Sequence, residues 1–168
     1  MGKNLLKYFG VFVLLIFLQL FLFNNIQLSG YINPYVYVLF ILLLPYSTPG
    51  WLLLILGFAT GLILDTFMNT FGMHSSATLL LAFLRPYMLN LISDRDDTDR
   101  KGSPIRVSSG FVWLIKYTVF LVLAHHILLF MIESFTLSTF FSSLWRAIVS
   151  TLATSTFIVL GIYFTLRK

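Results

Sequence analysis

The sequence contains no cysteine, and this absence excludes disulfides, thiolate nucleophiles and cysteine-based metal sites. Charge is also scarce, because only 10% of the 168 residues are Asp, Glu, Lys or Arg, against roughly 25% in an average soluble domain. Apolar residues make up 58% of the chain, and the mean hydropathy is +0.92. A soluble domain of this length could not bury so much apolar surface, so the composition predicts an integral membrane protein.

Long apolar runs without alternation, such as the stretch YFGVFVLLIFLQLFLF near the N-terminus, are typical of membrane helices and not of membrane strands. The fold class is therefore predicted to be an all-α polytopic membrane protein, with one transmembrane helical domain over residues 1–168. The first run continues to Phe23 without a small-residue cleavage site after it, so we expect an uncleaved helix and not a signal peptide.

Six segments are predicted to cross the membrane: Leu5–Phe23, Pro34–Tyr46, Trp51–Met68, Met73–Ile92, Phe111–Ile132 and Phe141–Phe164. The second is the shortest of the six, and it has fewer than the roughly 20 residues that a helix needs to cross a bilayer. Asn33 followed by Pro34 is a typical helix start, and Pro45, Pro49 and Gly50 predict a tight turn into the third span.

The distribution of basic residues predicts the orientation of these spans. Connections 24–33, 69–72 and 133–140 contain no Lys or Arg. The flanking basic residues all fall on the other side: Lys3, Lys7, Arg95, Arg100, Lys101, Arg106, Arg167 and Lys168. By the positive-inside rule, both termini are predicted to be cytoplasmic. The same rule accounts for the net charge of +5, so we expect no nucleic-acid partner.

The one long polar segment, residues 93–110, becomes a cytoplasmic loop in this arrangement. It mixes both charge signs and contains Gly and Pro, which is typical of a solvated loop. A docking site for a cytoplasmic partner is the alternative interpretation. The segment holds no phosphate-binding or metal-binding motif.

Asp65 is an aspartate within the apolar third span, where a charge that faces lipid is costly. Gly57, Gly61 and Asp65 are spaced by four residues, so they share one face of a helix. Glycines at this spacing permit another helix to approach closely. We therefore predict that this face is a packing or partner-binding surface, and that Asp65 points into it.

His74 follows Asp65 across a short turn that contains Gly72, and Arg146 lies at a similar depth in the sixth span. These positions predict an intramembrane polar cluster of Asp65, His74 and Arg146, with Arg146 as the preferred ionic partner of Asp65. The alternative is that Asp65 reaches water at the membrane interface, where a charge costs less.

Catalytic and metal sites have little support in the sequence. An intramembrane aspartyl protease needs two carboxylates that share a site, but Asp65 is the only one well inside a span, and Glu133 lies at an edge. His125 and His126 are adjacent and face different directions on a helix, so they do not form a helical metal pair. We expect a polar contact within the bundle for one of them, no metal and no enzymatic activity.

The stretch GLILDTFMNTFGMHSSATLLLAFLRP, Gly61–Pro86, resembles the MreD family of bacterial rod shape-determining membrane proteins. The likeness is carried by a glycine, an aspartate one turn later and a glycine in the following short turn, which here are Gly61, Asp65 and Gly72. The preceding stretch INPYVYVLFILLLPYSTPG is also similar to the family, as are the length and six-span layout of the chain.

The resemblance implies a non-enzymatic subunit, without a cofactor, of the machinery for lateral cell-wall growth in the bacterial inner membrane. It implies binding to an MreC-like bitopic protein, in a larger complex with MreB, RodA and a transpeptidase. The family's bundle is also similar to the substrate-binding subunits of energy-coupling factor transporters. The alternative function is therefore to bind a vitamin-like small molecule, which would require several polar groups around an outward-opening cavity.

Overall fold

The computed structural model describes residues 2–26, 32–92, 102–107 and 110–166, and this part of the chain is helical. Its α-helices are α1 (Gly2–Phe21), α2 (Leu39–Leu43), α3 (Gly50–Met68), α4 (Met73–Ile92), α5 (Pro104–Val107), α6 (Phe111–Ser134) and α7 (Phe140–Leu166). Five of them, α1, α3, α4, α6 and α7, are long and apolar enough to cross a membrane. They correspond to five of the six predicted spans, so a multi-pass helical membrane protein is confirmed.

The second predicted span, Pro34–Tyr46, which is the shortest of the six in the sequence, is not one of these five long helices and is not a continuous membrane helix. The segment contains a 3₁₀ turn at Val36–Val38 followed by the five-residue helix α2. Pro34 and Pro45 bracket it, and proline cannot donate a backbone hydrogen bond. We call residues 33–46 the central segment.

The central segment is enclosed by the long helices. The side chains of Tyr37, Val38, Ile41 and Leu42 have no solvent exposure. Helices α3, α4, α6 and α7 pack in that order, each on the next, and α1 packs against the central segment. The outer surface of the bundle carries large apolar side chains such as Phe9, Trp51 and Leu152, as expected where the surroundings are lipid.

The central segment runs alongside α4. The ring of Tyr35 lies 5.4 Å from the ring of His74, and the carbonyl of Leu44 accepts a hydrogen bond from Arg85. His74 and Arg85 are separated by about 16 Å along the helix, at 1.5 Å per residue. We call the end of the bundle with the α3–α4 turn the turn end, and the end with residues 102–107 the loop end.

Side chains of the long helices satisfy the backbone at the turn end of the central segment. Gln19 Oε1 accepts from the Val36 amide at 2.8 Å, and Gln19 Nε2 donates to the Pro34 carbonyl at 3.1 Å. The Tyr35 amide donates to Thr154 Oγ1 at 3.0 Å, and the Asn33 amide donates to Ser150 Oγ at 3.2 Å. These contacts replace the helical hydrogen bonds that the segment lacks there.

At the loop end, carbonyls at the C-terminal end of α2 that lack helical partners accept hydrogen bonds from buried donors. Arg85 donates to the Leu44 carbonyl, and its Nε donates to Tyr117 Oη at 3.0 Å. Tyr117 in turn donates to the Leu42 carbonyl at 3.2 Å. The guanidinium of Arg85 is therefore used to hold the end of a short helix, where a cation also complements the helix dipole.

Candidate functional site

Asp65 binds the first turn of α4. Its Oδ1 accepts from the His74 amide at 3.0 Å, and its Oδ2 accepts from the Ser75 amide at 2.9 Å. Thr70 Oγ1 donates to Oδ1 at 2.7 Å, and Ser75 Oγ donates to Oδ2. The side chain of His74 contributes through Nδ1, which lies 3.1 Å from Oδ1. The carboxylate thus occupies the position of a helix N-cap, although it belongs to the preceding helix.

The α3–α4 turn explains why the cap comes from Asp65. Gly72, just before α4, has φ +77°, a conformation that side-chain-bearing residues seldom adopt. It has no side-chain oxygen, so the free amides of α4 need an acceptor from elsewhere. Asn69 ends α3 in the left-handed conformation, and the Asp65 carbonyl accepts from both the Asn69 and the Thr70 amides.

The glycine face of α3 packs against α4. A Cβ atom at Gly57 would lie 2.7 Å from Ala82 Cβ and 3.1 Å from the Thr78 carbonyl oxygen. One at Gly61 would lie 2.5 Å from the His74 carbonyl oxygen and collide with the Ser75 backbone. The expected close helix contact is therefore present at both glycines, and its partner is α4.

The predicted ion pair between Asp65 and Arg146 is wrong. Arg146 Nη1 lies 3.3 Å from Glu133 Oε1, and its guanidinium carbon lies 4.6 Å from the centre of the Phe130 ring. Helix α3 packs against α4, whereas α7 packs against α6, so Arg146 meets side chains of α6 and not Asp65. The neighbours along the chain, Thr70, His74 and Ser75, satisfy Asp65 instead, as the α3–α4 turn brings them to it.

Near the Arg146–Glu133 pair, two tyrosines of the central segment, Tyr35 and Tyr37, contact the rings of the three histidines. The Tyr35 ring centre lies 5.4 Å from that of His74, 6.3 Å from His125 and 5.5 Å from His126. Tyr37 Oη lies 2.8 Å from His125 Nε2 and 3.0 Å from Thr78 Oγ1. His126 Nδ1 lies 2.8 Å from the Val122 carbonyl oxygen, and its Nε2 lies 3.3 Å from Thr154 Oγ1.

Both His125 and His126 are buried in polar contacts, where the sequence predicted such a role for one of them. Two ring nitrogens of the group, His74 Nε2 and His125 Nδ1, are buried and have no hydrogen-bond partner among the described residues. In the same part of the chain, no three His, Asp or Glu side chains lie close enough together to hold a metal ion.

Sequence reasoning missed two residues on which this arrangement depends, Gln19 and Arg85. Gln19 is 1% exposed and Arg85 is 2% exposed. A signal was present, because Gln19 is the one polar side chain between Val11 and Phe23, and Arg85 is a charge inside an apolar span. An intramembrane polar residue predicts a specific partner, but most of the partners here are backbone groups, which cannot be identified from the sequence.

Comparison of the chain with protein-family models, with curated proteins and with solved structures found no match.

We predict that Gly61→Ala destabilises the bundle by about 2 kcal/mol or more, because the added methyl group overlaps the α4 backbone and forces the helices apart. Gly10→Ala is the matched control, since a Cβ at Gly10 meets nothing within 4 Å. That change should be neutral or stabilising by up to about 1 kcal/mol. Unfolding of the purified variants in mixed micelles measures both values. Equal effects of the two substitutions would contradict the packing of Gly61 on α4.

We predict that Asp65→Asn lowers the free energy of unfolding by about 2 kcal/mol, because an amide offers one acceptor oxygen and places a donor against the α4 amides. Arg146→Gln should change it by less than about 1 kcal/mol, since the Arg146 and Glu133 side chains are 25% and 42% exposed. Thermal unfolding in detergent measures which of the two variants is less stable. A larger loss for Arg146→Gln than for Asp65→Asn would contradict the assignment of Asp65 as the cap of α4.

Proposed function

We propose that the chain is a non-enzymatic, multi-pass subunit of the MreD type, which acts in the bacterial inner membrane in the complex that directs lateral cell-wall growth. The observation that carries the proposal is the motif of the resemblance. Gly61 permits the contact of α3 with α4, Asp65 caps α4, and Gly72 makes the turn between them. The three residues thus act together in one helical hairpin.

In this proposal the loop end of the bundle is cytoplasmic and the turn end faces outward, with both termini in the cytoplasm. The support is the absence of Lys and Arg from connections 24–33, 69–72 and 133–140. A cytoskeletal MreB-like partner would then meet the loop end. An MreC-like bitopic protein would bind within the membrane, and RodA and a transpeptidase would complete the assembly.

The second candidate function is a subunit that binds a vitamin-like small molecule, as in energy-coupling factor transporters. The observation in its favour is the pair of buried ring nitrogens without a partner, His74 Nε2 and His125 Nδ1. Buried polar groups are usually satisfied, so such atoms are candidates for ligand contacts. Against it, the tyrosine rings of the central segment fill the space between the histidines.

Affinity purification in a mild detergent separates the two candidates. The tagged chain should retain a bitopic protein with a large extracytoplasmic domain, and loss of the chain from a rod-shaped host should produce rounded cells. A tagged polytopic protein of similar size and unrelated sequence is the control for non-specific capture. A small molecule in the denatured extract, without a bitopic partner and without a change of cell shape, would favour the transporter subunit and contradict the proposal.

A further inference from the structure

The central segment makes contacts at both ends of the bundle. At the loop end, the Tyr46 amide donates to the Gly102 carbonyl at 2.9 Å. Residues 102–107 fold back against α2, and Ser103 and Ile105 are 4% and 5% exposed. The part of the polar loop that precedes α6 is therefore docked on the bundle beside the end of the central segment.

At the turn end, the same segment is held by two different helices. The Asn33 and Tyr35 amides donate to Ser150 and Thr154 of α7, and the Val36 amide donates to Gln19 of α1. The Tyr35 ring also lies 6.3 Å from that of Phe130, over which Arg146 lies. The arrangement of the polar side chains at the turn end therefore depends on the position of the central segment.

Between these ends the segment is short and continuous. The turn Val36–Val38 leads directly into α2, and the side chains of this stretch other than Leu43 are buried against the surrounding helices. Protein interiors are close-packed, so they transmit a displacement and do not absorb it. We therefore expect a change in the position of Leu44 and Tyr46 to reach Tyr35, which is separated from them by the five residues of α2 and one 3₁₀ turn.

We propose that the central segment couples the two ends of the bundle. The docking of residues 102–107 at the loop end then affects how well the backbone hydrogen bonds of residues 33–37 are formed at the turn end. A partner that removes residues 102–107 from the bundle would then weaken the hydrogen bonds of residues 33–37. Loss of those hydrogen bonds would in turn weaken the docking of residues 102–107. This inference goes beyond the proposed function and does not depend on it, because it concerns two sets of contacts within one chain.

Hydrogen–deuterium exchange of the purified protein in micelles tests this coupling, because the amides of Asn33, Tyr35 and Val36 report the turn end directly. Ile105→Asp places a charge in the buried contact of residues 102–107 and should release them, and Ile105→Val is the matched control. We expect the Asp variant to raise exchange in the peptide 33–38 about fivefold or more. Exchange in α3, over residues 53–64, should not change.

The reverse experiment perturbs the turn end. Thr154→Val removes the acceptor of the Tyr35 amide, and Thr156→Val is its control, because Thr156 is exposed on the same helix and bonds to the Leu152 carbonyl. Exchange at Tyr46 and in residues 102–107 should rise in the Thr154 variant alone. Unchanged exchange at the far end in both experiments would overturn the proposal. An equal rise in α3 would also overturn it, since the variants would then unfold the whole bundle.

Discussion

A backbone that leaves the helical hydrogen-bond pattern inside a membrane must find protein partners for its polar groups, because hydrocarbon offers none. The central segment imposes this constraint on the bundle. Its amides at one end bind Gln19, Ser150 and Thr154, and its carbonyls at the other end bind Arg85 and Tyr117. Four of the five long helices therefore contribute a buried polar side chain to one short piece of chain.

The fifth long helix, α3, is tied to the bundle in a related way. Its carboxylate at Asp65 satisfies the free amides of α4, and its glycines bring the two backbones into contact. In both cases a polar side chain of one helix satisfies the backbone of another element. Gln19 and Arg85 are isolated in apolar sequence, whereas Ser150 and Thr154 stand next to other hydroxyl residues. All of them act on a backbone end where helical hydrogen bonds stop.

Much of this architecture could be predicted from the sequence. Length and hydropathy predict the five long helices, and the spacing of Gly57, Gly61 and Asp65 predicts a packed face. The partner of Asp65 was harder to predict, since opposite charge favours Arg146, whereas proximity along the chain favours Thr70, His74 and Ser75. The break in the second span could not be predicted, because hydropathy reports how apolar a segment is. It does not report whether a segment that is mostly buried, as this one is, forms a continuous helix.

The same contacts make one mostly buried segment the connection between the two ends of the bundle. The buried polar side chains stabilise the fold through their backbone partners, because an unpaired polar side chain in lipid is unfavourable.

Gln19→Met tests this account most directly, because the two physical effects of the substitution have opposite signs. Methionine is similar in length and more apolar, so transfer to the membrane alone would favour the variant. We predict instead a loss of about 2 kcal/mol in the free energy of unfolding in micelles, because the Val36 amide and the Pro34 carbonyl lose their partner. A variant as stable as the natural chain, or more stable, would contradict it.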